Sequence, residues 1–160
     1  MSMDRLRWLL PTAVLLLFDR LLKLWAACAL DLGRPTPLLG NAVRLTRVHN
    51  TGGAFGLFPG TPAVFIAVSA VIAAALFVFL LSRWANDWLS KLGASILLAG
   101  AAGNLIDRAT HGYVVDFFEI RGFPIFNLAD ACVTVGAVLI IAHVLFGGER
   151  HRSRRQADRP

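Results

Sequence analysis

Four apolar runs limit what this chain can fold into. They cover roughly 8–30, 61–82, 88–106 and 129–147. A helix rises about 1.5 Å per residue, so roughly 20 residues cross a hydrocarbon core of about 30 Å. Each run is therefore about long enough for one crossing. The second run carries no charge, the third has Lys91 near its start, and the first is interrupted by Asp19, Arg20 and Lys23. Only 16% of the residues are charged and 56% are hydrophobic, whereas a soluble domain averages about 25% charged. The fold class expected is a mostly α membrane protein with four transmembrane helices. A small outer β-like cradle is expected between helices 1 and 2, and a short outer segment between helices 3 and 4. One domain would fill 1–147, and 148–160 would form a basic, disordered cytoplasmic tail.

The first run could pass for a signal peptide. Charges break its apolar stretch and no clean small-x-small cleavage site follows, so it reads as a retained helix. Basic residues set the orientation. The tail carries Arg150, Arg152, Arg154, Arg155 and Arg159, the N-terminus Arg5 and Arg7, and the link between runs two and three Arg83 and Lys91. Lys and Arg mark the cytoplasmic side, and an even number of spans puts both termini there. The net charge of +6 thus reads as a membrane-surface signature. No aromatic-interleaved basic module points to nucleic acid. Residues 31–60 fall outside, and their β-branched alternation with Gly, Asn and Pro suggests the cradle. Cys28 and Cys132 lie in or beside the spans, with no CxxC or His/Cys cluster, so neither a metal nor a disulfide is expected.

Four of the chain's ten acids lie in one stretch, "GNLIDRATHGYVVDFFEIRGFPIFNLAD": Asp107, Asp116, Glu119 and Asp130. The topology brings Asp107 and Asp130 to one depth, with Asp116 on the link between them. Asn127 followed by Asp130 suits a helix start, a cap with an acid at N3. Asp107 ends its span, where the dipole disfavours an anion. Another group must hold it, and the adjacent Arg108 is the obvious candidate. Asp116 sits among Val114, Val115, Phe117 and Phe118, which reads either as an exposed acid on an amphipathic strand or as a carboxylate partly desolvated at the membrane interface. Two carboxylates in a poorly solvated place share a proton. Such a pair can hold a water, one acid acting as general base and the other as general acid. In "HNTGGAF", Gly52 allows close backbone approach, and Asn50 could bond a peptide backbone; a plain hairpin turn is the other reading. Asp19 and Lys23 stand at i, i+4 on one helix face, better suited to an ion pair holding the bundle than to catalysis. No His spacing or HExxH motif supports a metal hydrolase.

Together, "NTGGAF", "GNLIDR", "VVDF" and "FNLAD", in this order in a four-span chain, resemble the lipoprotein signal peptidases (signal peptidase II). The resemblance covers most of the chain. It implies a membrane aspartyl endopeptidase that removes signal peptides from diacylglyceryl-modified prolipoproteins, before the lipidated cysteine, without a cofactor or metal. It places the catalytic dyad on Asp116 and Asp130, and the supporting polar shell on Asn104, Asp107, Arg108 and Asn127. Asn50 and Gly52 would touch substrate, and Asp19 and Lys23 match a span-one motif. Arg20 and Leu22 depart from that motif, which has a glutamine and a hydroxyl residue there. The expected partners are prolipoproteins and membrane lipids, and the expected state is a monomer in the bacterial cytoplasmic membrane with its active site at the outer face. A proton-coupled transporter also uses intramembrane carboxylates, but usually shows repeats and a midplane site. A non-catalytic chaperone for lipidated substrates is the third reading.

Overall fold

The computed structural model describes residues 3–52, 62–82 and 87–157. A short α1 (Met3–Leu6) precedes α2 (Leu9–Ala29). A hairpin of β1 (Thr36–Leu39) and β2 (Val43–Asn50) follows. Next come α3 (Pro62–Leu81), α4 (Trp88–His111), β3 (Val114–Ile120) and α5 (Leu128–Ala157). Among the described residues, three helices contain segments long and apolar enough to cross a membrane: Ala63–Leu81, Trp88–His111 and Leu128–Phe146. The 21-residue α2 has the length, but it is not among these: Asp19, Arg20 and Lys23 lie together in its middle, whereas the charges of α4 lie toward its two ends. The last helix runs on to Ala157, so much of the expected disordered tail continues the helix instead. The Gly53, Ala54 and Phe55 part of "NTGGAF" and the link carrying Arg83 lie outside the described residues.

α4 is the centre of the bundle and packs on α2, α3 and α5. Both its ends are written in sequence. Asp87 accepts a hydrogen bond from Ser90 N at 2.9 Å, an N-cap. Gly112 ends the helix at φ 77°, its N–H bonded to Arg108 O at 3.0 Å. Glycine also sets the spacing to α5. A Cβ on Gly136 would stand 2.6 Å from Leu97 N and 2.7 Å from Gly93 O. Both atoms are backbone, so only glycine permits this approach, the usual device for helices packing in lipid. Toward the opposite end from the sheet, Thr12 Oγ1 donates to Ser95 O (2.9 Å), and Ser95 Oγ donates to Trp8 O (2.6 Å), joining α2 to α4.

The sheet contains more than the expected cradle. β3, from the short segment between α4 and α5, pairs antiparallel with β2 and makes a three-stranded sheet of order β1-β2-β3. Val114 to Phe117 are all buried. β3 therefore lacks the polar alternation of a strand with one wet face, and Asp116 is buried on it rather than exposed as on an amphipathic strand. Phe117 packs with Ala26 and Leu30 of α2. This fixes the sheet to that end of the bundle. A turn through Gly122 (φ 84°) then brings the chain back, and Phe118 and Phe126 exchange two backbone bonds of 2.8 and 2.9 Å.

Gly136→Ala should force α4 and α5 apart and destabilise the bundle by about 1–3 kcal/mol, as overpacking does. Val138→Ala, on an exposed side of the same helix, should change little. Unfolding midpoints in detergent check both; equal midpoints would show that the close contact is not needed.

Candidate active site

Asp116 is buried on β3, with both carboxylate oxygens bonded. Asn127 Nδ2 donates to Oδ1 at 2.6 Å and Asn50 Nδ2 to Oδ2 at 2.9 Å. The register explains the second bond. Val48 opposes Asp116 and Asn50 opposes Val114, so Asn50 and Asp116 are diagonal neighbours on adjacent strands. The first bond follows from the Phe118–Phe126 pair, which returns the chain so that Asn127 lies beside Asp116. Gly52 N in turn donates to Asn50 Oδ1 at 3.0 Å and holds that amide in one orientation.

Asp130 is half-buried in the first turn of α5. Its Oδ2 accepts from Asn127 N at 3.1 Å, while Asn127 Oδ1 accepts from Asp130 N at 3.0 Å. These reciprocal bonds make a capping box with Asp at N3. Asp130 Oδ1 accepts from Asn104 Nδ2 at 2.7 Å. Asn104 Oδ1 accepts from Asn127 Nδ2 at 3.2 Å and from Lys23 Nζ at 3.0 Å. Asn104 and Asn127 therefore link the two aspartates through one set of amides. Both carboxylates face a cavity of about 530 Å³, whose wall is largely apolar and includes Phe123, Ile125 and Val133. Burial pushes the Asp116 carboxyl up to about 7, with the nearby Asp130 charge adding to the rise. The amides of Asn50 and Asn127 oppose it.

Asp107 differs from the expectation. Arg108 does not hold it. Arg20 does, at 2.6 Å, and Lys23 does, at 2.9 Å, both from α2. Val115 N adds a bond at 3.2 Å. Helix geometry explains the change: successive residues point about 100° apart, so Asp107 faces α2 while Arg108 turns to the cavity. Arg108 donates to Gly52 O at 3.0 Å and lies 5.2 Å over the Phe65 ring. Lys23 also pairs with Asp19 at 3.0 Å, and Arg20 with Asp19 at 3.2 Å. Asp19 Oδ1 accepts Ala129 N at 3.1 Å, at the start of α5. A Cβ on Gly103 would stand 2.6 Å from Asp19 Oδ2, so this glycine gives the carboxylate its place.

Thus the ten site residues expected from sequence form one continuous polar set. Arg20, which stood only as a departure from a motif, belongs to it as well. Its signal was present: one turn of α2 carries three charges inside an apolar run. Among the described residues no group of His, Cys, Asp or Glu could hold a metal.

Lys23 is the test of this set. Lys23→Met removes a cation 3.0 Å or less from two buried carboxylates. Breaking a buried pair from one side costs about 3–5 kcal/mol, and chemical unfolding in detergent should show a loss of that order. Arg20→Gln should cost less, because Lys23 still touches both acids. The reverse order would mean that Arg20 is the main counter-charge.

A sequence profile of signal peptidase (SPase) II matches residues 12–146. The lipoprotein signal peptidase of Clostridium acetobutylicum is 35% identical over 147 residues, covering 89% of this chain and 96% of that protein. That of Lactiplantibacillus plantarum is 38% identical over 140 residues, covering 86% and 93%. Two solved structures of a bacterial membrane enzyme, obtained by the in meso method, superpose with TM-scores of 0.81 and 0.79. Each is 31% identical, and they cover 87% and 88% of this chain and 87% and 93% of theirs. With the carboxylate pair, its amides and the apolar helices in place, the chain belongs to the signal peptidase II family and is an aspartic peptidase.

Proposed function

We propose that this protein removes signal peptides from diacylglyceryl-modified prolipoproteins, cutting before the lipidated cysteine, with Asp116 and Asp130 as the catalytic pair. The observation that carries this is two carboxylates bridged by Asn104 and Asn127 and open to one apolar-walled cavity. A pair of acids is the machinery of peptide hydrolysis without metal. The apolar wall suits a substrate that arrives from lipid.

Asp116 holds the shared proton and Asp130 is ionised. A water between them gives a proton to Asp130 as its oxygen attacks the carbonyl carbon preceding the cysteine. Asp116 protonates the carbonyl oxygen. The tetrahedral intermediate collapses, the C–N bond breaks, and the amine of the cysteine leaves with the proton from Asp130. Transfer of the remaining hydroxyl proton to Asp116 restores the pair. Asn50, held by Gly52, orients Asp116 and offers its amide at the strand edge where a substrate backbone would lie. Arg108, bonded to the Gly52 carbonyl, holds that edge to α4.

In this reading α2 is a fourth membrane span. Its charges face the bundle, with Asp19 and Lys23 buried, while Leu17, Leu21, Leu24 and Trp25 are exposed as a lipid-facing side. Both termini are then cytoplasmic, and the pair lies at the outer boundary of the cytoplasmic membrane. The proposed working state is a monomer.

Purified protein mixed with a lipidated precursor should release a free signal peptide without added metal. Asp116→Asn and Asp130→Asn should each abolish release while the protein still inserts; full activity in either variant would end the proposal. The raised Asp116 carboxyl gives the sign of the pH effect. Below about 7 it keeps the proton that the pair needs, and above it that proton is lost. The rate should therefore fall about tenfold per pH unit on the alkaline side, with an apparent midpoint near 7 that belongs to the pair. A rate that still rises above pH 8 would contradict this assignment.

A further inference from the structure

A second cavity, of about 300 Å³, opens between α2, β2 and the end of α4. It does not share a lining residue with the cavity of the aspartate pair. Arg20, Lys23, Arg47, His49, His111 and Tyr113 are among its lining residues. Arg20 and Lys23 are balanced there by Asp19 and Asp107. Arg47 is not: among the described residues no carboxylate pairs with it, and its guanidinium reaches only the Ala27 carbonyl. Its Nε is buried without a partner, as is that of Arg20. His49 stacks on Tyr113 at 3.9 Å, and His111 lies 5.7 Å from the same ring. The site thus has one uncompensated cation, spare guanidinium donors and two imidazoles. Its wall also includes Leu24, on the exposed apolar side of α2.

We propose that this cavity binds a phosphate-type anion, presented by the headgroup of a phospholipid lying against α2. The guanidinium of Arg47 matches phosphate oxygens in geometry and charge. Lys23 and Arg20 also line the cavity, together with Asp107, whose single carboxylate is met by both cations. Leu24 and the exposed Leu21 and Trp25 of α2 offer the acyl chains a surface beside it. The surroundings of His49 agree: desolvation, then the charges of Arg47 and His111, hold its imidazole below the usual range. These neighbours make a positive local field that an anion would relieve. The inference rests on this cavity and on the reading of α2 as a lipid-facing span, and does not need the peptidase chemistry.

The test uses the full chain in dodecylmaltoside micelles. Binding of short-chain phosphatidylglycerol, of diacylglycerol and of inorganic phosphate is measured by native mass spectrometry and by the NMR titration of His49. Phosphatidylglycerol should bind saturably and raise the His49 midpoint, while diacylglycerol, which has no phosphate, should do neither. Arg47→Gln should weaken phosphatidylglycerol roughly fivefold, the effect of one basic group at a lipid surface. Competition by millimolar inorganic phosphate would make the free anion the ligand; lack of competition assigns the site to the lipid. Equal binding of diacylglycerol, unchanged binding by Arg47→Gln, or no saturable binding of either phosphate source would overturn the proposal. The His49 shift in the unmutated protein is an independent readout should Arg47→Gln fail to fold.

Discussion

The ammonium of Lys23 touches three oxygen-bearing side chains from two helices: Asp19 of α2, and Asp107 and Asn104 of α4. In an apolar bundle a charge must be paired, and a paired charge fixes where its neighbours stand. Asp19 also takes the Ala129 N–H at the start of α5, so one cluster ties three helices together at the depth of the site. Asn104 is its outlet. Lys23 binds the amide oxygen, which leaves the Nδ2 donors free to point at Asp130. An asparagine without that cation could turn either way; with it, only one orientation presents a donor to the carboxylate.

The sheet performs the matching task for Asp116. A carboxylate on a loop would be free to swing into solvent. Here it is on a strand whose neighbours Val114, Val115 and Phe117 are buried, beside β2 on one side and the returning Phe126 on the other. Two asparagines from different elements then hold its two oxygens. The rigid placement suits the proposed acid pair, because a proton shared between carboxylates would require them to keep their distance in every turnover.

Much of this was legible in the sequence, for reasons that are local. Run lengths gave the helices because a span is set by thickness and rise per residue. Asn127 and Asp130 were readable as cap and N3 because a capping box is four residues long. Asp19 and Lys23 were readable as one face because i, i+4 is a helical neighbour. The parts that were not legible depend on tertiary contact. The expectation that Arg108 would hold Asp107 used sequence adjacency, which in a helix separates side chains rather than joining them. The role of Arg20 depends on which side of α2 meets α4. A strand through Asp116 was readable, but not its pairing with β2 or its cover on both faces, which bury the acid. The glycines at 93, 103 and 136 have meaning only when the opposite helix is in place.

The two aspartates of the proposed pair stand in different surroundings. Asp130 belongs to a helix terminus, half-exposed to the cavity, with a backbone N–H on one oxygen and an N3 position that suits negative charge. Asp116 is almost wholly buried, 1% exposed, and receives only side-chain amides. Asparagine amides are neutral donors, and two of them do not offset the desolvation of a buried carboxylate, so the carboxyl remains high at about 7. A guanidinium in place of either amide would have ionised Asp116 outright. The ammonium of Lys23 and the guanidinium of Arg20 instead bond Asp107 and Asp19, and Lys23 also bonds Asn104. For the proposed pair, two neutral amides on Asp116 in place of a bonded cation are what would let a single proton be retained near neutral pH.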